Sequence, residues 1–207
     1  MLTTVILVLV ASDFLLQAGW GLIAPIFAIF LSQQIAGGSI AIVGFIAAAY
    51  WMSKSFVQPF IAHVLDLKKG EKDDFKILVI GMYAANLVPL GYFFSTELWH
   101  IFLLEIVRGL AMAMVVPTWS GIFTRHIRKG WEAFSWSIES TSIGFAAGFA
   151  AAFGGIIASA FGFQIVFLLV TCMGLLSSTL LLVIRNKIFP KEEVVRQALH
   201  PREGFRS

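Results

Sequence analysis

Six apolar runs, each at least 20 residues long and almost free of charge, follow one another along this 207-residue chain at approximately 2–31, 39–65, 75–94, 98–124, 137–160 and 163–184. A helix needs about 20 residues to cross the hydrocarbon core of a bilayer, so each run is long enough to span it. In lipid the backbone must satisfy its own hydrogen bonds, which makes such runs helices. Composition agrees: 13% of residues are charged, against about a quarter in ordinary globular domains. A water-facing surface cannot be built from so few charges. The expected molecule is a multi-pass bundle over 1–185 with a polar tail at 186–207.

The joints carry turn chemistry: Gly37-Gly38-Ser39, the charged stretch 66–76, Ser95-Thr96, Arg128-Lys129-Gly130 and Gly162. Thirteen of the fifteen Lys and Arg lie between runs 2 and 3, between runs 4 and 5, or after run 6, and none follows runs 1, 3 or 5. The positive-inside rule then places the even-numbered loops and both termini in the cytoplasm, as in a bacterial-type plasma membrane. Trp99, Trp131 and Trp136 sit at run edges, where indoles anchor at the interface. A net charge of +3 dispersed in this way gives no nucleic-acid surface. Cys172 is the sole cysteine, so neither an internal disulfide nor a multi-cysteine metal site can form. The first run is about twice as long as a signal-peptide core and reads as a retained first span.

Five ionisable residues remain inside the runs: Asp13, Lys54, Glu105, Arg108 and Glu139. A charge at mid-membrane costs at least about 2.5 to 3.5 kcal/mol on insertion scales, so it persists where a partner or a wet cavity receives it. Arg108 is ten residues into run 4, about 15 Å along a helix and close to the midplane. Asp13 lies at similar depth. Helical spacing groups Asp13, Gln17, Trp20 and Gly21 on one face, and Glu105, Arg108, Met112 and Trp119 on another. Run 2 repeats the pattern with Tyr50, Lys54 and Gln58. A substrate or coupling cavity made of Asp13, Gln17, Lys54, Glu105, Arg108 and Trp119 is the functional expectation. The alternative is that Glu105 and Arg108 only neutralise each other, and Glu139, nearer the cytoplasmic edge, reads as structural. Runs 3 and 6 hold little polarity and are expected to face lipid.

Pro25, Pro59, Pro89 and Pro117 each remove a helix hydrogen bond and permit a bend. Gly144 and Gly148, four apart, with Gly154 and Gly155, predict close helix packing in run 5. Other chemistries fit poorly. A serine protease at Ser120 lacks a histidine in the following runs to act as base. His63 and Asp66 lie at the cytoplasmic edge without a second cluster to complete a metal path.

Ala62-His63-Val64-Leu65-Asp66-Leu67-Lys68-Lys69-Gly70-Glu71-Lys72, between runs 2 and 3, resembles the cytoplasmic loop motif of the major facilitator superfamily. Ala62 stands where the motif has Gly, Leu67 replaces a basic residue, and Gly70 arrives one position late. Arg108-Gly109 is similar to the family's helix 4 pattern, and Gly19 to Pro25 has its helix 1 texture. Ala150-Ala151 replaces the Gly-Pro that antiporters of the family carry before the Gly-Gly pair. The resemblance implies an all-α six-helix half with a 3+3 inverted repeat, transport of a small solute by alternating access, and no cofactor. It implies a conformational lock in which Asp66, with Lys68, Lys69 and Gly70, meets Arg125 or Arg128, while Arg108 serves coupling or binding. Family members have about twelve spans with solute held between two halves. The implied partners are membrane lipid, an unidentified small-molecule substrate and a second half, from another copy as a homodimer or from another chain. A fragment of a longer transporter and a non-transporting membrane scaffold are the alternatives.

Overall fold

The computed structural model describes residues 2–67 and 70–188. Lys68, Lys69 and most of the polar tail lie outside the described residues. Six helices among those described are long and apolar enough to cross a membrane. The first run becomes α1 (Thr4–Ile23) and α2 (Phe27–Gln34), followed by α3 (Ile40–Leu67), α4 (Glu71–Phe93), α5 (Leu98–His126), α6 (Glu132–Phe161) and α7 (Phe163–Leu181). A 3-10 turn, Leu182–Ile184, leads into the short α8 (Arg185–Ile188). Thr3 caps α1 by accepting the Ile6 amide at 3.2 Å.

Of the four prolines only Pro25 interrupts a helix, in the turn between α1 and α2. Pro59, Pro89 and Pro117 sit inside α3, α4 and α5, which run through them. Around Pro117 the hydroxyl of Thr118 donates to the Met114 and Val115 carbonyls at 2.6 and 2.9 Å, giving this segment additional local bonding.

The helices form an arc. α6 packs on α1, α1 on α7, α7 on α4, α4 on α5 and α5 on α3. Exchanging the first three spans for the last three leaves these adjacencies unchanged.

Two apolar clusters fill the bundle, one around Phe30, Tyr92 and Phe167, the other around Leu9, Phe123 and Leu181. Hydroxyl and amide bonds lie at intermediate depth. Ser12 and Ser177 are 3.0 Å apart through their hydroxyls, and Asn86 donates to the Gly174 carbonyl at 3.0 Å and to Ser178 at 3.1 Å. The expectation that runs 3 and 6 face lipid is therefore corrected. Half of the spanning window of α4 and 44% of that of α7 are buried, against 11% for α3 and 17% for α6. Asn86, the one amide of run 3, is turned inward onto α7.

Small residues act where backbones cross. A Cβ on Gly154 would stand 2.2 Å from the Leu22 carbonyl oxygen, and one on Gly21 2.9 Å from Ala150 Cβ. Gly144, Gly148 and Gly155 meet nothing within 4 Å. Within the chain, close packing of this glycine set is seen at Gly154. The α6 face seated on α1 carries Ala146, Ala150 and Gly154, and the other three glycines lie off it. Gly154→Val should lower stability by about 1 to 3 kcal/mol, because backbone on both sides leaves no flexible neighbour to yield. Gly148→Val should leave the thermal melting of the single chain, in a detergent harsh enough to separate copies, unchanged.

Candidate functional site

α1 and α5 touch only lightly, and two cavities open along their seam. Because the two helices run antiparallel, the later residues of α1 meet the earlier residues of α5. The first cavity, about 240 Å³, is lined by Trp20, Ile23, Ala24, Phe27, Glu105 and Arg108. The second, about 200 Å³, lies about two to three turns nearer the loop after α5 and includes Asp13, Gln17, Met112, Trp119, Trp136 and Glu139. The single cavity expected from the sequence is two.

In the first, Glu105 is 2% exposed and fully engaged. Arg108 donates to Oε2 through Nε at 3.0 Å and through Nη2 at 2.5 Å, while the Tyr92 hydroxyl donates to Oε1. The guanidinium carbon lies 3.8 Å from the Tyr50 ring centroid and 4.4 Å from that of Trp20. Planar, weakly hydrated arginine suits such an aromatic cage, where each ring contributes about 0.5 to 2 kcal/mol. Helix spacing brings Glu105 and Arg108 onto one face. α1, α3 and α4 must all close around α5 before the rings arrive. Gly109 makes the α3 approach possible, since a Cβ there would sit 2.6 Å from the Tyr50 carbonyl oxygen. Lys54 lies beside the cage, its Nζ 5.0 Å from the Trp51 ring.

In the second cavity Asp13 lies beside Gln17 and Glu139. Glu139 is 3% exposed, and among the described residues its carboxyl has no hydrogen-bond partner apart from the Asp13 carboxyl. The indole nitrogen of Trp119 is unpartnered, its ring stacked on Phe123 at 4.7 Å and 15°. Reading Glu139 by its depth alone missed its meeting with Asp13. Its position on the same helical face as Ser135 and Ile143 was the only signal available.

Arg125, expected to meet Asp66, pairs with residues of α4 instead. Arg125 bonds Asp74, and its Nε reaches Glu71 at 3.4 Å, with His126 also 3.3 Å from Glu71. Asp66 is exposed at the end of α3, and Arg128 is exposed as well. Gly70 is the extended residue before α4 and has open space around it. The physical reason is the antiparallel α4–α5 pair, which sets the first-turn acids of α4 against the last turn of α5, where helix dipoles favour the same charges. Asp74→Asn should increase proteolysis of the loop between α3 and α4 several-fold, whereas Asp66→Asn should leave it unchanged. Limited digestion in detergent measures both.

A bundle of apolar spanning helices with a buried ion pair and an acid pair facing cavities inside the spans is that of an integral membrane protein. The chain matches the Major Facilitator Superfamily model over residues 9–206 and belongs to that family, whose members are transporters and not enzymes. It is the size of a single six-helix half. No curated protein matches the sequence.

Proposed function

We propose that this chain is one half of an alternating-access carrier whose small solute moves along the α1–α5 seam, with a second six-helix half, in the simplest case a second copy, forming the opposite wall. The observation that carries this reading is that Arg108–Glu105 and Asp13–Glu139 open onto the same seam at successive depths. A group that merely stapled the bundle would have no reason to line a cavity. The exchange-invariant helix adjacency supports a 3+3 repeat, and in repeat-built carriers the solute site lies near the midplane between repeats. Rocking of the halves would expose the Trp20 cavity to one side and the Trp119 cavity to the other in turn.

The Lys and Arg distribution orients the reading, with the loops after α3 and α5 and both termini in the cytoplasm. Thiol labelling in sealed vesicles tests it. Lys129→Cys should react only from inside and Glu97→Cys only from outside. Ala24→Cys, in the first cavity, should be reached from outside and Ser120→Cys, in the second, from inside. Trapping the cytoplasmic side closed with a bifunctional reagent should protect Ser120→Cys and leave Ala24→Cys reactive. Simultaneous labelling of both cavities from opposite sides in one molecule would describe a channel and overturn alternating access.

A further inference from the structure

The second cavity holds two neighbouring carboxyl groups with no basic residue in its lining. Asp13 comes from α1 and Glu139 from α6, while the stretch of α5 that closes the cavity supplies Met112, Val115, Val116, Trp119 and Ser120, none of them ionisable. α7, which packs on α1, contains no acidic or basic residue. Two neighbouring carboxylates in a low-dielectric setting are stable together only when a positive charge or a proton lies between them. Glu139, 3% exposed, meets no donor among the described residues other than the neighbouring Asp13 carboxyl. An independent feature points the same way. The Trp119 indole N–H, 9% exposed, is unsatisfied and lines the same space, with the Trp136 ring centroid 6.3 Å away. An acid pair without a cation and an unpaired N–H in the lining of one cavity suit a ligand that brings donors at one end and an acceptor at the other.

We propose that this cavity binds a small organic ammonium ion with an apolar body and a hydrogen-bond acceptor, the ammonium between Asp13 and Glu139, the body against Trp119 and Trp136, and the acceptor on the Trp119 N–H. Indole faces attract a desolvated cation and the apolar lining accepts the carbon skeleton. The inference rests on the solute-carrier reading, for which it names the substrate class. Protons compete for the same carboxylate oxygens, so binding weakens as pH falls and strengthens as it rises.

Isothermal titration of the full chain in nanodiscs tests this without requiring transport or a known solute. Tyramine is the probe, with 4-ethylphenol lacking the ammonium and phenethylamine lacking the hydroxyl. Tyramine should bind saturably at one site per chain, 4-ethylphenol at least about ten-fold more weakly, and phenethylamine a few-fold more weakly. Glu139→Gln and Asp13→Asn should each weaken tyramine about ten-fold or more, while Trp119→Phe should weaken tyramine more than phenethylamine, which makes no bond to the indole N–H. Equal binding of tyramine and 4-ethylphenol by the unaltered chain overturns the proposal, as does tyramine binding that Glu139→Gln leaves intact. A pair that responds to pH but binds no ammonium holds only a proton, and this too overturns it. Tyramine binding in a chain that fails the sidedness test would leave this site standing and remove alternating access. The reverse outcome would remove this site alone.

Discussion

Arg108→Ala is expected to destabilise the chain by about 3 to 5 kcal/mol, the cost of leaving Glu105 as a buried carboxylate whose cationic partner is gone. Tyr92 still donates to one oxygen, but among the described residues no other cation bonds the carboxylate, and the Trp20 and Tyr50 rings lose the guanidinium between them. Arg108→Lys should fall between, because an ammonium keeps the charge but cannot lie flat between two rings while donating twice to one carboxylate oxygen. The double variant Glu105→Gln/Arg108→Gln removes both charges and should recover most of the lost stability in a detergent melt. It should not recover closure of the Trp20 cavity, read as protection of Ala24→Cys. Recovery of both properties would show that the pair only staples the bundle, the simpler role that spacing in the sequence also allowed.

The second large effect is expected in the size of the particle. α3 and α6 bury least of their surface, and the open side of α6 carries Ser137, Ser140, Thr141, Gly144, Gly148 and Gly155 among its phenylalanines. Lipid asks for no small residues, whereas a helix packing backbone to backbone does. A second half seated across α3 and α6 would cover this side and close the α1–α5 seam from solvent. Extraction in mild detergent should give a protein mass of two 22.8 kDa chains. Gly148→Cys should crosslink between copies at high yield. The native Cys172, exposed on α7 at the far side of the arc from α3 and α6, should not. Gly21 is unsuited to this test, since a side chain there runs into Ala147 and Ala150. A monodisperse single chain in nanodiscs, with Gly148→Cys uncrosslinked, would defeat the two-copy arrangement.

Much was legible along the chain because it depends on length and local spacing. Six spans follow from apolar runs long enough for a bilayer, and the Glu105–Arg108 pair from two residues three apart on a helix, where side chains share a face whatever surrounds them. The glycine stripe was legible as a pattern, yet not which part of it touches α1. Arg125 was recognisable as an ion-pairing residue, yet its partners on α4 depend on how two antiparallel helices end against each other.

The deepest division lies in what an apolar residue can report. In water, burial sorts polar from apolar and a helix shows its inner face in its sequence. In a bilayer both the bundle interior and the lipid are apolar, so that signal vanishes. Hydropathy and loop charge therefore determined by themselves that the chain crosses a membrane and predicted which loops share a side. Only the tertiary structure decided that α4 and α7 form the middle of the arc while α3 and α6 lie open, and that Asp13 meets Glu139, 126 positions away in the chain. Contacts of that separation are chosen by which helices pack, and packing depends on the shapes of whole faces, a property no local spacing encodes.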